Sequence, residues 1–290
     1  MLKTQHKILI ATLIRGVVMP LRRAFGLGHQ FVGKRGRIMW ELDLREGIDF
    51  SIWLLGAFEP GTVRQYRKSI RPGSVVIDVG ANIGAHTLPL ADCVGKTGKV
   101  IAFEPTDFAI GKLSANCKRN PILAERIQAY QVMLVSRQNA GLTTTPALYS
   151  SWPLEVSPEV HHLHGGRLMP TLGAKSQTLD DFLNKEGVSR VDFIKLDIDG
   201  HECDMLLGAK ETISRHRPEI IMELAPYVLK EAGSSLNELV SIISSFDYGL
   251  FHMGNDERLS MDAVVLEAKI PAGSSINVIA RAIKPSSISS

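Results

Sequence analysis

Two short segments hold most of the residues able to do chemistry. The first, Val75-Val76-Ile77-Asp78-Val79-Gly80-Ala81-Asn82-Ile83-Gly84, reads as a buried strand entering a glycine-bearing turn, followed by the helical-looking Ala85-His86-Thr87-Leu88. Gly80 can take a backbone angle that a β-carbon disfavours, and Gly84 lets the helix approach the sheet, so the turn amides are expected to face an anionic ligand group. A dinucleotide fingerprint needs a further central glycine against the pyrophosphate, yet Ala81-Asn82-Ile83 stands there. The spacing disfavours pyrophosphate and suits an amino-acid end, with Asp78 available to its ammonium. Glu104 closes the next strand, where doubly wound folds place an acid that takes both ribose hydroxyls. Such an acid serves NAD or S-adenosylmethionine equally. Its competing structural role is to cap the helix start at Pro105-Thr106-Asp107.

The second segment is Val191-Asp192-Phe193-Ile194-Lys195-Leu196-Asp197-Ile198-Asp199-Gly200-His201-Glu202. Alternation along a strand puts Ile194, Leu196 and Ile198 on one face and Lys195, Asp197 and Asp199 on the other. Three charges in a row on a covered sheet are costly unless they are paired or face a cleft. The carboxyl end of a strand, where α/β folds bind ligands, favours the cleft. There the carboxylates could ligate a divalent cation, orient a substrate hydroxyl or act as general base, and Lys195 could neutralise them or take a proton if its pKa were lowered. His201 and Glu202 belong to the same candidate set. The structural alternative is a buried Lys–Asp pair that orders the sheet and caps the helix beginning near His201.

The elements that must position these segments follow from hydrophobic patterning. Apolar runs at 75–79, 99–103, 127–135, 191–198, 220–223, 248–253 and 276–282 are bounded by Gly, Pro or charge. Alternating with helical stretches, they predict an α/β fold, a doubly wound, mostly parallel sheet of seven strands, with an antiparallel edge because the later spacers are not regularly helical. Residues 74–283 form the expected catalytic domain, with 45–73 a lid segment leading into it. Residues 138–175, rich in Thr, Ser, Pro, His and Gly, are too long for an ordinary connection and are expected to lie over the active face. A tail at 284–290 is expected to fray.

The 290 residues are 44% apolar, enough to bury a full core. The net charge of +3 is too small for a phosphate backbone to be the main partner, so nucleic acid is not expected. Residues 1–40 carry Lys3, Lys7, Arg15, Arg22, Arg23, Lys34, Arg35 and Arg37 with no acid. The region 1–44 therefore reads as a basic, partly helical N-terminal extension, either solvated or in peripheral contact with an anionic membrane surface or acidic partner. The apolar stretch from Ile8 to Leu21, cut by Arg15 and Gly16 and expected to stop at Pro20, is too short to span a bilayer and suits a packed or membrane-surface helix. Cys93, Cys117 and Cys203 form no C-x-x-C, so neither a disulfide framework nor a zinc knuckle is indicated and a reducing, cytoplasmic setting, with contact at the inner membrane face as a variant, is expected.

Taken in order, VVIDVGANIGAHTLPLA (75–91), KVIAFEP (99–105), SQTLDDFL (176–183), VDFIKLDIDGHE (191–202) and RPEIIMEL (217–224) resemble the FkbM family of methyltransferases across about residues 45–225. The resemblance implies the class I, Rossmann-like methyltransferase fold. It also implies cofactor contacts to S-adenosyl-L-methionine at Asp78, Gly80, Asn82, Gly84 and Glu104, and methylation of hydroxyl oxygens on sugars or natural products. The family's later motif, K-x-D-x-E-G-x-E, is matched by Lys195, Asp197, Gly200 and Glu202, whereas Asp199 stands where Glu is usual and reaches about 1.5 Å less far. Arg137 occupies a position that is often acidic. Residues 141–173 match nothing in the family and are where acceptor specificity is expected.

The expected reaction is methyl transfer to a hydroxyl of a small-molecule or glycan acceptor, with a group from 195–202 engaging the hydroxyl proton. Trp152 is the candidate for stacking on a sugar or adenine, and Glu223, at the end of the fifth strand, for a substrate-hydroxyl contact; Trp40 and Trp53 read as packing. His86 reads as a helix-start or lid contact. His161, His162 and His164 read as loop residues rather than metal ligands, because they lack metal-site spacing. The alternatives are an NAD-dependent oxidoreductase and a non-catalytic docking protein on the same fold.

Overall fold

The computed structural model describes residues 4–142, 145–154, 158–161 and 165–283, with side chains from residue 9 onward. The expected tail at 284–290, together with His162 and His164, lies outside the described residues.

Seven strands form the central sheet: β1 (Val75–Val79), β2 (Lys99–Phe103), β3 (Ile127–Tyr130), β4 (Phe193–Leu196), β5 (Glu219–Leu224), β6 (Tyr248–His252) and β7 (Ile276–Ala282). Their order is β3-β2-β1-β4-β5-β7-β6. The first five are mutually parallel, while β7 runs antiparallel to both β5 and β6. The continuous apolar runs arise because both faces are covered. Ile77, Val79, Ile194, Leu196, Ile220 and Met222 pack on one side. Val76, Val100, Phe193, Ile221 and Ile279 pack on the other, under Val63, Tyr66 and Ile70 of the helix Pro60–Ser69.

Within that alternation Lys195 lies opposite Asp78 in the β4–β1 register, and Glu223 opposite Asn277 in the β5–β7 register. The sheet thus delivers Asp78, Lys195 and Glu223 to the carboxyl ends of parallel strands and Asn277 to the amino end of the reversed β7, all on the face that the helix Pro60–Ser69 covers. The third apolar run divides: Ile127–Tyr130 joins the sheet, and Val132–Leu134 pairs in parallel with Lys175–Gln177.

Within the expected 1–44 extension, the described residues 4–44 pack against the body. A helix, Thr4–Ala24, is followed by a hairpin, Gln30–Arg35 with Ile38–Asp43, whose Trp40 and Leu42 pack with Leu44, Ile83, Ala85 and Leu88. Asn116 of the helix Asp107–Lys118 and Asn120, just beyond its end, complete the hairpin's outer edge. Their side-chain oxygens accept from the Glu41 and Met39 amides at 2.8 and 2.9 Å. The first helix also runs through Pro20 to Ala24, because Arg22 donates to the Gly28 and Gln30 carbonyls and so fixes the turn beyond it.

Candidate active site

The turn after β1 is closed by its own hydrogen bonds. Gly80 and Ala81 donate to the Phe103 carbonyl, Gly84 donates to Ala81, and Ile83 donates to the Asn82 side chain. Asn82, in the left-handed region at φ 48°, donates its amide to Glu104 Oε2 at 2.9 Å. The expectation that these amides await an anionic ligand group therefore fails: from residue 80 to 84 each one is already used. Gly80 is required on two counts. Its φ is +77°, and a β-carbon there would stand 1.9 Å from the Asp197 carbonyl oxygen.

Glu104 is buried and works as a clamp. Its Oε1 accepts from the Thr106 amide and hydroxyl at 2.9 and 2.6 Å, and burial pushes its pKa up. A carboxylate has about four lone-pair sites, and three are filled here, so one position rather than two is open to a ribose hydroxyl. The roof over it comes from the inserted hairpin Ala147–Ser151 with Arg167–Pro170. Ser150 Oγ meets Thr106 Oγ1 at 2.6 Å, and its carbonyl accepts from Asn82 Nδ2 at 3.0 Å.

On the far side of Gly80 the strand ends form an acidic chamber. Lys195 Nζ lies 3.2 Å from Asp197 Oδ2, 3.9 Å from Asp78 Oδ1 and 3.4 Å from the Gly80 carbonyl. Burial alone would lower its pKa, but the Asp197 and Asp78 carboxylates outweigh burial and the net direction is up. Lys195 is an ammonium counter-ion, then, and not the lowered-pKa proton acceptor considered above. Asp78 is fully buried, which pushes its pKa up; its Oδ2 accepts from Thr87 Oγ1 at 2.6 Å, and Oδ1 has no hydrogen-bond partner among the described residues. Asp197 is 30% exposed and faces the chamber.

Three residues from outside the two segments complete this chamber. Glu59, with φ 43° at the start of the helix Pro60–Ser69, accepts from Thr62 Oγ1 and Asn277 Nδ2 at 2.9 and 3.0 Å. His86 lies edge-on to Phe58 and Tyr66, with Nε2 3.9 Å from Glu59 Oε2 and neither ring nitrogen hydrogen-bonded among the described residues. Burial, then the Lys195 charge, holds its pKa well below the usual histidine range. Glu223 accepts from Ser275 Oγ, and burial, with Asp197 and Glu59 nearby, drives its pKa well up. Neither Glu59 nor Asn277 carried a motif; only the lid helix and the β5–β7 pairing bring them here.

The alternation that would align Asp199 with Lys195 and Asp197 stops at the strand end. Asp199 and Gly200 take φ of 47° and 97°, turning the chain. Burial, then the Asp197 and Glu202 charges, raise Asp199 well above the carboxylate range. Glu202 is not placed to meet a substrate: it is buried, and its Oε1 accepts from the Ile198 and Gly200 amides, each at 3.3 Å. Burial pushes it up to about 7. His201 lies on the opposite side, lining a cleft of about 510 Å³ with Val79, Gly80, Phe103, Pro105 and Leu134. Trp152 lines neither this cleft nor the chamber; its backbone is tied to Glu46 and Gly47. Arg137 is turned outward beside Asp181.

The cleft and chamber meet at Gly80. A cleft walled in part by Val79, Phe103 and Leu134 against a glycine, with the Lys195–Asp78 pair on the far side of that glycine, fits a nucleoside joined to an amino-acid end. Among the described residues no three His, Cys, Asp or Glu side chains are grouped to hold a metal ion.

A seven-stranded sheet in this order, with β7 reversed and polar side chains gathered at the carboxyl ends of β1, β2 and β4, is the class I S-adenosylmethionine-dependent methyltransferase architecture. Residues 78–250 match the methyltransferase FkbM domain, and the chain belongs to that family. It is 25% identical over 186 residues to the 2-O-methyltransferase NoeI of Sinorhizobium fredii, covering 61% of this chain and 74% of that protein. It is 26% identical over 154 residues to the hexuronic acid methyltransferase AglP of Haloferax volcanii, covering 52% of this chain and only 56% of that protein. Among solved structures, the methyltransferase FkbM of Methylobacillus flagellatus aligns at a TM-score of 0.43 and 18% identity, over 76% of this chain and 50% of that one. This membership favours methyl transfer over the oxidoreductase alternative.

Proposed function

We propose that this protein transfers the methyl group of S-adenosyl-L-methionine to a hydroxyl oxygen of a sugar-containing small molecule or glycan. The observation that carries the reading is the position of Asp197. It is paired with a buried Lys195, open to the chamber, and separated from the cleft only by the Gly80 turn.

Asp78, Gly80 and the cleft walls at Val79 and Phe103 would hold the cofactor, which when bound supplies an electrophilic methyl group on a sulfonium and leaves as a neutral thioether. Lys195 Nζ pairs with Asp197 Oδ2 and holds that carboxylate in place. Asp197 accepts the acceptor's hydroxyl proton as the new C–O bond forms, since an alcohol is a poor nucleophile until that proton is engaged. The chamber is rich in acceptor groups at Asp197, Glu223 and Glu59, with Asn277 and Ser275 beside them, a composition that suits a ligand bearing several hydroxyls. The names of NoeI and AglP point the same way, one to a 2-O position and one to a hexuronic acid.

Calorimetric titration with S-adenosylmethionine and, separately, NAD tests the cofactor. Asp197→Asn tests the chemistry: turnover on a sugar acceptor should fall about a hundredfold or more while cofactor affinity stays within about threefold. Full turnover in that variant removes Asp197 from the mechanism, and NAD binding without S-adenosylmethionine binding removes the reading itself.

A further inference from the structure

The helix Thr4–Ala24 is turned against the usual rule of burial. Its exposed positions from residue 9 to 21 are Leu9, Ile10, Leu13, Gly16, Val17, Pro20 and Leu21, none of them polar. Leu9, Leu13, Val17 and Leu21 recur every fourth residue and so form one ridge, which Phe25 extends beyond the helix end; their exposures are 55, 62, 65, 58 and 80%. The polar residues from Thr12 to Arg22 face the protein instead, and Arg23 is exposed at the helix end. Thr12, Arg15 and Arg22 are half-buried, with Arg15 donating to the Leu44 carbonyl at 3.1 Å and Arg22 to the Gly28 carbonyl at 3.0 Å. Ile14, Val18 and Met19 anchor the inner side in the core beneath the hairpin. Solvation does not account for an outer face that carries no polar side chain from Leu9 to Leu21, and a contiguous apolar ridge of this kind marks a contact surface.

Charge selects the occupant. No acid occurs in the first forty residues. Arg23, at the end of the ridge, and Lys34 and Arg37 at the hairpin turn are exposed and have no acidic partner among the described residues. No helix among the described residues is long and apolar enough to cross a membrane. We infer that the ridge Leu9–Leu13–Val17–Leu21–Phe25 lies in the surface of an anionic phospholipid bilayer. The apolar side chains enter the acyl boundary, and Arg23, Lys34 and Arg37 meet the headgroups.

The test is co-sedimentation of the full chain with vesicles of phosphatidylcholine, with and without about one-third phosphatidylglycerol, in the absence of cofactor and acceptor. The wild-type chain should pellet with the anionic vesicles and bind pure phosphatidylcholine about tenfold or more weakly. Leu13→Glu with Val17→Glu should abolish pelleting, and Arg23→Gln should weaken it several-fold. Both substitutions lie on the exposed face, so unchanged thermal melting and S-adenosylmethionine titration would show that the fold and cofactor site are intact. Equal pelleting of the Leu13→Glu, Val17→Glu chain overturns the inference. So does light scattering that shows a stable dimer which those substitutions split, since a second copy would then cover the ridge. Because vesicle binding is read without turnover, its failure leaves the methyltransferase reading untouched, and the reverse holds as well.

Discussion

The turn after β1 and the turn after β4 are built alike and used differently. Each follows a strand carrying a buried charge, each places a non-glycine residue in the left-handed region, Asn82 at φ 48° and Asp199 at φ 47°, and each is clamped by a buried glutamate. In the first, Glu104 reaches across from the neighbouring strand and uses both oxygens. In the second, Glu202 reaches back from its own helix and uses one. With the β1 turn's amides consumed, that turn serves as a wall and offers few donors. The β4 turn leaves the Asp197 carboxylate facing the chamber, so the acceptor chemistry proposed above would rest on side chains.

The largest test of this contrast is steric. Gly80→Ala drives a methyl group to 1.9 Å from a backbone oxygen, whereas at Gly200 the nearest backbone atom is the Val228 oxygen at 2.6 Å. Both positions also forfeit a left-handed glycine. Urea denaturation should show Gly80→Ala costing about 4 kcal/mol or more and Gly200→Ala about 2–3 kcal/mol. Equal costs would mean that the two turns are not differently constrained.

The clamps differ next in their response to pH. Glu202 rises from its ordinary 4.5 to about 7 on folding, so the folded state binds its proton more tightly than the unfolded state does. Stability is then undiminished below about pH 4.5, is lost as pH rises toward about 7, and is lower by roughly 3 kcal/mol above that. Glu202→Gln stays neutral and keeps an oxygen for both amides. Thermal melts should show it matching the wild type near pH 4 and exceeding it near pH 8. Glu104→Gln lacks this escape, because one of the two sides that now receive hydrogen bonds would present an amide donor to another donor; it should destabilise by about 1–3 kcal/mol at either pH.

The smallest effect belongs to the roof. Ser150→Ala removes the Ser150–Thr106 hydrogen bond, worth about 1 kcal/mol, and so loosens the hairpin over Glu104. If a ribose must displace that contact, calorimetry should show S-adenosylmethionine binding about two- to tenfold tighter in the variant. Weaker binding would mean that the closed hairpin is part of the cofactor site.

All seven central strands were legible in the sequence, because two covered faces force continuous apolar runs and their ends fall at Gly, Pro or charge. The antiparallel edge was legible in part: the spacer before β7 lacks the long helical crossover that a parallel strand requires, whereas the connection before β6 does carry a helix, Leu236–Ser245. The acidic strand end stood out because charge in such a run is costly. What each acid does there was not legible. Glu202 and Glu104 look like ligand groups until the positions of nearby amides are known, and Glu59 and Ser150 carry no motif because their partners are 218 and 44 residues away. Trp152 suggested a stacking surface by residue type alone, and its backbone ties to Glu46 and Gly47 put it elsewhere.

The sequence by itself determined the layered α/β fold, the order of its motifs and the family to which they belong, since burial periodicity and glycine placement are local properties of the chain. Only the tertiary structure decided which polar groups are already satisfied. Hydrogen-bond saturation depends on atoms from distant segments coming within about 3 Å, and that distinction separates the Glu104 and Glu202 clamps from the Asp197 carboxylate left facing the chamber.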